Sequence, residues 1–184
     1  MTRDSLIQEV SQGVQQKLEQ LQLQLTAIHP LNIARVLELE SEIRQYASHQ
    51  QSDYLKKGLV QNFIDWHSQN KARCILLQTK EQTILGYGIL ILDPELIKSF
   101  YEPTADKLED SAYLAQIVIS PNVQGKGFGR LMMNVLESIS NYHGKKHLLL
   151  EVHSLTPAYE FYKNLNYKLD FFQAFMSKTL SSEN

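Results

Sequence analysis

The chain has 184 residues, of which 43% are apolar and 21% charged, and a formal net charge of −2 at pH 7. This balance predicts one soluble globular domain with a sizeable core, and it does not favour nucleic acid or an anionic membrane as a partner. The single cysteine, Cys74, excludes an internal disulfide and a cysteine-rich metal cluster. No apolar run approaches the roughly 18 residues of a membrane span, and the starting sequence MTRDSLIQEV lacks the apolar core of a signal peptide, so we expect a cytoplasmic protein.

The first predicted element is a helix over residues 5–20, with Asp4 or Ser5 as its N-cap. Its apolar residues recur at steps of four and form one narrow stripe: Leu6, Val10, Val14 and Leu18. Such a stripe packs either on the domain or on a partner, so packing on the domain is the simpler expectation and a homodimer stays open. Residues 21–27 alternate between apolar and polar and predict a half-buried strand that ends before His29-Pro30.

The middle of the chain alternates between helical and strand patterns. Apolar spacing predicts helices over 31–46 and 53–68, and β-rich runs predict strands over 72–79, 84–92 and 111–119. Gly86 and Gly88 within the second of these strands indicate a close backbone neighbour or a bulge. The connection over 93–110, with a short helix predicted over 95–101, carries six carboxylates against two lysines. Further along, a strand is predicted over 147–153, a helix over 156–165, and one or two strands over 167–180.

A glycine-rich loop follows the strand that ends in Ile117-Val118-Ile119. Gly125, Gly127 and Gly129 alternate along it, and the next residues place apolar side chains at helical spacing: Phe128, Leu131, Met132, Val135, Leu136, Ile139 and Tyr142. A strand, a glycine-rich loop and a helix N-terminus together make a phosphate-binding arrangement, because the first N–H groups of a helix have no partner within it.

Two common phosphate-binding motifs do not fit this loop. The dinucleotide fingerprint requires a third glycine where Arg130 stands, and a P-loop requires Ser or Thr after its lysine, whereas Lys126 precedes Gly127. Residues 124–129, Gln-Gly-Lys-Gly-Phe-Gly, instead resemble the Gln/Arg-x-x-Gly-x-Gly/Ala signature of the GNAT superfamily of acetyl-CoA-dependent N-acetyltransferases.

A second stretch, residues 148–167, strengthens this resemblance. Leu150-Glu151-Val152 is similar to the acidic-apolar strand of the family, and Ala158, Phe161-Tyr162 and Tyr167 match its Ala-x-x-Phe-Tyr-x-x-x-Gly-Phe/Tyr pattern. Asn166 takes the place of the glycine, and asparagine tolerates the left-handed backbone that a glycine would adopt there.

The resemblance implies a fold, a cofactor and a set of binding residues. The fold is α/β of mixed α+β character: a central, mostly antiparallel mixed sheet with its fourth and fifth strands splayed apart and helices on both faces. It would form a single domain over residues 1–184, with the helix at 5–20 as an addition. The cosubstrate is acetyl-CoA, and no metal is implied. The main chain of Ile117, Val118 and Ile119 would pair with the pantetheine arm, and the pyrophosphate would be held by Gln124, Gly125, Lys126, Gly127, Phe128, Gly129 and Arg130.

The resemblance also implies direct transfer of acetyl to a primary amine, with Tyr162 as the general acid for the departing thiolate. The base is open, because the strand before the loop offers only Ser111, Tyr113 and Gln116. The alternatives are Glu151, His153, a carboxylate of the first long helix (Glu38, Glu40 or Glu42), or water without a single base. A metal site at His143, His147, Glu151 and His153 is disfavoured, because the chain has no cysteine cluster and no helical histidine pair.

The acceptor is a small-molecule amine or a protein lysine, and the acidic connection at 93–110 suggests a cationic one. A second interpretation belongs to another functional class. The missing strand carboxylate and the additional helix at 5–20 are also compatible with a non-catalytic CoA-binding module that serves in regulation or assembly.

Overall fold

The structure is a computed structural model that describes residues 3–46, 57–100, 108–152 and 154–169. The chain forms two compact units, Met1–Glu151 and Val152–Asn184. The first unit holds the whole described sheet and six of the seven described α-helices. His153 and the greater part of the strands predicted over 167–180 lie outside the described residues. No helix in the described ranges is both long enough and apolar enough to cross a membrane.

The order of the elements agrees with the order expected from the sequence. The elements are α1 (Arg3–Gln8), α2 (Gln12–Gln20), β1 (Leu23–Ala27), α3 (Ile33–Tyr46), α4 (Lys57–Ser68), β2 (Ala72–Thr79), β3 (Ile84–Ile91), α5 (Pro94–Ile97), β4 (Ser111–Ile119), a 3₁₀ turn (Pro121–Val123), α6 (Phe128–Tyr142), β5 (His147–Leu150) and α7 (Pro157–Lys163). The strands predicted over 72–79 and 111–119 are confirmed at both ends.

The five strands form one sheet in the order β1-β2-β3-β4-β5. The first four pair antiparallel, and β4 pairs parallel with β5. The predicted mixed, mostly antiparallel sheet is therefore confirmed. Helices lie on both of its faces. Gly88 of β3 faces Met132 and Leu136 of α6, whereas its neighbours Tyr87 and Ile89 belong to the core that contacts α3 and α4.

The core on the α3 and α4 face continues as a series of aromatic rings. Phe63 contacts Trp66 edge-on at 5.3 Å, Trp66 contacts Phe100 at 6.2 Å, and Phe100 stacks on Tyr113 of β4 at 5.8 Å. These ring contacts hold α4 and Phe100, which follows α5, against the first half of β4.

Two bulges shape the central strands. Leu77 and Gln78 of β2 pair with Gly86 and Ile84, so Leu85 is the extra residue on β3. Ile89 and Leu90 of β3 pair with Gln116 and Leu114, so Ala115 is the extra residue on β4. The β3 glycines predicted a bulge or a close backbone neighbour, and Gly86 has both. It borders a bulge, and a side chain there would collide with the main-chain oxygen of Val118.

Strand β4 extends well beyond its contact with β5. The parallel pairing runs from Ser111–His147 to Leu114–Leu150 and then stops. Residues 115–119 continue to pair with β3 on one edge, but among the described residues they have no strand partner on the other edge. The parallel pairing therefore ends next to the β4 bulge, where β5 itself ends at Leu150.

The N-terminal prediction was wrong in one respect, because residues 3–20 form two helices. Gln15 donates its side-chain N–H to the main-chain oxygens of Ile7 and Val10, at 2.8 and 2.6 Å, and so satisfies the end of α1. The expected packing is confirmed: Leu6, Val10 and Leu18 are all at most 3% exposed. The fourth residue of this apolar stripe, Val14, is half-buried.

A buried ion cluster explains the break between these two helices. Glu9, which follows α1, accepts two hydrogen bonds from Arg73 of β2, at 2.8 and 2.9 Å. The Nε2 atom of His143, at the end of α6, lies 3.2 Å from Glu9 and 3.0 Å from Arg73. The Glu9 and Arg73 side chains are only 4% and 2% exposed, so the cluster fastens the N-terminal segment to the sheet and to α6.

Candidate active site

The part of β4 beyond its pairing with β5 includes the three residues predicted to pair with a cofactor arm. Ile117, Val118 and Ile119 pair with Gly88, Tyr87 and Gly86 of β3. Their other main-chain edge has no strand partner within the described part of the chain. An extended molecule with amide groups can add to such an edge as a further strand would.

The loop after β4 has the backbone that its glycines predicted. A 3₁₀ turn over Pro121–Val123 leads into Gly125 with φ of 75° and Gly127 with φ of 87°. A side chain at either position would meet no other atom within 4 Å, so glycine is required there by the left-handed backbone and not by lack of space.

Gly127 is the N-cap of α6, and the first hydrogen bond of the helix runs from Leu131 N–H to Gly127 C=O at 3.0 Å. The N–H groups of Phe128, Gly129 and Arg130 precede that bond and have no acceptor within the helix. Together with the positive end of the helix dipole, they form a site suited to a phosphate group.

The polar side chains of the loop divide into two groups. Gln124 donates its side-chain N–H to Ile119 C=O at 3.0 Å, and Lys126 donates to Asn122 C=O at 3.2 Å, so both brace the loop on itself. Arg130 is exposed on the first turn of α6. Phe128 is half-buried at the start of the helix. Two positively charged side chains, those of Lys126 and Arg130, therefore lie at the start of α6.

Tyr162, the predicted acid, belongs to the second compact unit. It lies on α7, is 8% exposed, and contacts the rings of Phe161 and Tyr167 at 5.2 and 5.7 Å. Burial raises its pKa to about 12, so its hydroxyl stays protonated at neutral pH. Asn166 has φ of 65°, which confirms the left-handed backbone expected where the family pattern has glycine.

The candidate bases are spread over several elements. Glu151 is exposed directly after β5, and Glu38 on α3 is paired with Arg35 at 3.1 Å. His153 and the side chains of Glu40 and Glu42 lie outside the described part of the structure. On β4, Ser111 and Tyr113 are buried, whereas Gln116 is half-buried opposite Ile89.

The acidic connection uses several of its carboxylates locally. Asp93 caps α5 by accepting a hydrogen bond from Leu96 N–H at 3.0 Å. Glu95 pairs with Lys98, and Asp110 pairs with Lys146 at 2.6 Å. The hydrogen bond from Lys146 lowers the pKa of Asp110. Residues 101–107 lie outside the described residues.

The histidines that suggested a metal site are not brought together. His143 contacts Glu9 and Arg73, and His153 lies outside the described residues. Within the described ranges, no group of three or more His, Cys, Asp or Glu side chains is placed to hold a metal ion. The cluster of Glu9, Arg73 and His143 was missed, because no local pattern connects residues so far apart in the sequence.

Comparison with known proteins agrees with this geometry. A sequence profile of the acetyltransferase (GNAT) family matches residues 33–167, which include the sheet from β2 onward, the loop and α7. The chain belongs to the GNAT acetyltransferase family. The matched region of this GNAT chain begins after α1, α2 and β1. A search of curated proteins found no significant relative.

Solved structures show the same fold at low sequence identity. A tetramutant of the Bacillus halodurans protein BH1408 has a TM-score of 0.63 and 15% identity, with 85% of this chain and 99% of that chain covered. Glucosamine-6-phosphate N-acetyltransferase from Arabidopsis thaliana has a TM-score of 0.57 and 13% identity, with coverage of 86% and 99%. A chimera of the Vibrio cholerae spermidine N-acetyltransferase SpeG and hSSAT has a TM-score of 0.58 and 22% identity, with coverage of 78% for both. At these identities the likeness concerns the fold.

Proposed function

We propose that this GNAT chain transfers an acetyl group from acetyl-CoA to a primary amine. The observation that carries the proposal is the unpaired edge of β4, which is followed by a helix N-terminus suited to a phosphate group. Residues 115–119 offer an open strand edge, and two left-handed glycines, Gly125 and Gly127, direct the chain into α6. A long molecule with amides at one end and phosphates at the other fits this pair of features.

The described residues fit the two parts of acetyl-CoA in different ways. The N–H groups of Phe128, Gly129 and Arg130 would bind the pyrophosphate, with Lys126 and the Arg130 side chain adding positive charge. The main chain of Ile117–Ile119 would hold the pantetheine amides. Gln124 would act by bracing the loop through its hydrogen bond to Ile119.

Acetyl-CoA supplies an acetyl group and a thiolate that can leave. An alkylamine has a pKa of about 10.4, so it must lose a proton before its nitrogen can attack the thioester carbon. As the C–N bond forms and the C–S bond breaks, the departing sulfur gains a proton, since an ordinary thiol has a pKa of about 8.5. We assign that proton to Tyr162, whose hydroxyl is protonated at neutral pH because burial raises its pKa to about 12.

Two acceptors are proposed for the proton that leaves the amine. Glu151 is an exposed carboxylate directly after β5, and water is the alternative. Glu151→Gln separates them. If Glu151 is the base, kcat falls steeply and the acidic limb of the pH profile is lost; if water serves, the rate and the profile stay as in the wild type.

The acceptor is proposed to be a small-molecule amine or a protein lysine, and its charge needs a direct test. The carboxylates of Asp93, Glu95 and Asp110 are engaged locally, which leaves Glu109 as the exposed described carboxylate of the acidic connection without such a role. The named activities of the structural relatives span a sugar phosphate amine and a polyamine. A preference for cationic amines would appear as faster acetylation of spermidine than of glucosamine 6-phosphate, with a loss of that advantage at high salt.

The first experiment is a thermal shift with acetyl-CoA, followed by an amine panel read by thiol release. A ligand that binds the native state raises the melting temperature, so saturating acetyl-CoA should raise it and at least one amine should release CoA thiol. The absence of any shift would contradict the proposal, because the proposal requires the chain to bind acetyl-CoA.

Tyr162→Phe distinguishes the enzyme from the second candidate function, a non-catalytic CoA-binding module. For an enzyme, this variant keeps the acetyl-CoA thermal shift and loses most of kcat. Tyr159→Phe is the matched control, because Tyr159 lies on the same helix α7 and contacts Lys163 through its ring. A module would bind acetyl-CoA and release no thiol with any amine in the wild type. We further propose a cytoplasmic location, which subcellular fractionation tests.

A further inference from the structure

Strand β3 carries two glycines next to the part of β4 that the proposed function uses. Gly86 pairs with Ile119 and Gly88 pairs with Ile117, which are the two ends of the segment proposed to hold the pantetheine amides. Positions two apart on a strand share a face of the sheet, and at Gly88 this is the face toward α6. Gly88 therefore has the proposed pantetheine edge beside it and the helix of the proposed phosphate site above it.

Gly88 is the position where α6 approaches β3 too closely for a side chain. A Cβ atom there would lie 3.0 and 3.2 Å from the Cδ atoms of Leu136 and 3.3 Å from the sulfur of Met132. Carbon atoms in good contact are about 3.5–4.0 Å apart. Both helix side chains are 0% exposed, so the packed core leaves them little room to move. Space accounts for the glycine at 88, in contrast to Gly125 and Gly127, whose backbone is left-handed.

This close approach lies near the N-terminal end of α6. Met132 follows Phe128, the first residue of the helix, by about one turn, and the N–H groups of the proposed phosphate site belong to residues 128–130. Because a helix is hydrogen-bonded within itself, a shift of α6 away from β3 moves those N–H groups with it. The edge of Ile117 stays with β3, since the two strands are paired. The packing of α6 on Gly88 therefore sets the distance between the two proposed half-sites.

We propose that Gly88 is a positioning residue that fits this distance to coenzyme A. The inference rests on the proposed function, in which one ligand contacts α6 through its pyrophosphate and β4 through its pantetheine amides. When two groups are linked, binding of the first brings the second to its site at a high effective concentration, and this advantage is lost when the geometry prevents simultaneous binding. A methyl group at residue 88 therefore weakens binding of the whole ligand and leaves binding of its separate halves unchanged.

Gly88→Ala tests the proposal with CoA and with the two halves of CoA. ADP carries the pyrophosphate and pantetheine carries the amides, and titration followed by protein NMR measures weak as well as tight dissociation constants. We expect the dissociation constant of CoA to rise roughly 10-fold in this variant, because a small misplacement far from the chemistry can cost that much, while those of ADP and pantetheine stay within about twofold of the wild type.

Two further variants separate the effect of spacing from that of stability. Leu136→Val shortens the side chain nearest to the new methyl group, so Gly88→Ala/Leu136→Val should recover most of the CoA affinity. Leu39→Ala is the control, because Leu39 is 0% exposed in the core on the α3 and α4 face. It should lose stability and still bind all three ligands as the wild type does. If Gly88→Ala does not fold, Leu136→Phe adds volume at the same contact from the helix side and tests the same spacing.

The proposal is overturned if Gly88→Ala binds CoA as tightly as the wild type. It is also overturned if ADP or pantetheine loses as much affinity as CoA, since equal losses indicate a general disturbance of the fold, or if the double variant binds CoA as weakly as the single one. Failure of the proposed function is a different result, in which the wild type itself does not bind CoA.

Discussion

Glu9→Leu tests whether the buried ion cluster holds the N-terminal helices in place. Among the described residues, the substitution leaves the Arg73 guanidinium, 2% exposed, with Ala72 C=O and His143 as hydrogen-bond partners. Removing one partner of a buried ion pair costs about 3–5 kcal/mol. For a chain of this size, 1 kcal/mol corresponds to roughly 2–4 °C, so the melting temperature should fall by about 6–20 °C. Urea unfolding with linear extrapolation measures the free energy directly.

The exposed pair of Arg35 and Glu38 is the matched control. Its side chains are 40% and 64% exposed, so Glu38→Gln should change the unfolding free energy by less than about 1 kcal/mol. The double variant Glu9→Leu/Arg73→Met removes both charges at similar volume. It should recover most of the loss, because replacing a buried ion pair with apolar side chains is often neutral or stabilising.

The cluster also predicts a dependence on pH. Burial would raise the pKa of Glu9, but the hydrogen bonds from His143 and Arg73 outweigh it and lower the pKa from its ordinary 4.5. The unfolded chain therefore binds this proton more tightly than the folded one. The stabilisation from Glu9 is complete above about pH 4.5 and is lost as the pH falls through the lower, folded pKa. The double variant should lack this part of the acid sensitivity.

The interpretation of the cluster would be refuted by a loss of less than about 1 kcal/mol in Glu9→Leu, no greater than in the exposed control. A double variant as unstable as the single one would refute it equally. Either result would mean that the N-terminal helices depend on the burial of Leu6 and Leu18 and not on the ion cluster.

Three further predictions concern the loop, the sheet and a buried histidine. Gly127→Ala should lower the free energy of unfolding by about 1–2 kcal/mol and weaken the acetyl-CoA thermal shift, because Gly127 has a left-handed backbone. Gly13→Ala in α2 should be neutral or stabilising, because Gly13 does not have a left-handed backbone. Gly86→Ala should lower stability by about 1–3 kcal/mol in urea unfolding, because the new side chain collides with Val118 C=O. Burial lowers the pKa of His67 from 6.5 to about 4. The free energy of unfolding of the wild type should therefore fall by about 3 kcal/mol as the pH drops across that interval. In acid unfolding, His67→Gln should flatten this dependence of the unfolding free energy on pH.

The backbone of the glycine-rich loop was predictable because the information that determines it is local. The alternating glycines, the strand before them and the apolar face after them all lie within residues 117–142, and the structure places left-handed backbone at Gly125 and Gly127. The predicted apolar face of α6 included one residue that is not buried. Tyr142 is 60% exposed, because it stands at the last residue of α6, where the helix leaves the sheet. Asn166 was predictable for the same local reason, since few residues tolerate its backbone.

The features that the sequence did not reveal are pairings between distant residues. The helical spacing of Leu6, Val10, Val14 and Leu18 runs without interruption through the break at Glu9–Ser11, so periodicity predicts one helix. The break becomes visible only when Arg73, 64 residues away, is placed beside Glu9.

The bulge at Ala115 has the same origin. The run Ser111–Ile119 looks like one regular strand, and only its register against Ile89 and Leu90 shows that Ala115 is extra. A single inserted residue reverses the face of every side chain that follows, so it moves Gln116 from the face of Leu114 to the face of Tyr113. Because of the bulge, Gln116 shares the face of Ser111 and Tyr113, and of these three strand positions weighed as sites for a base it is half-buried while the other two are buried.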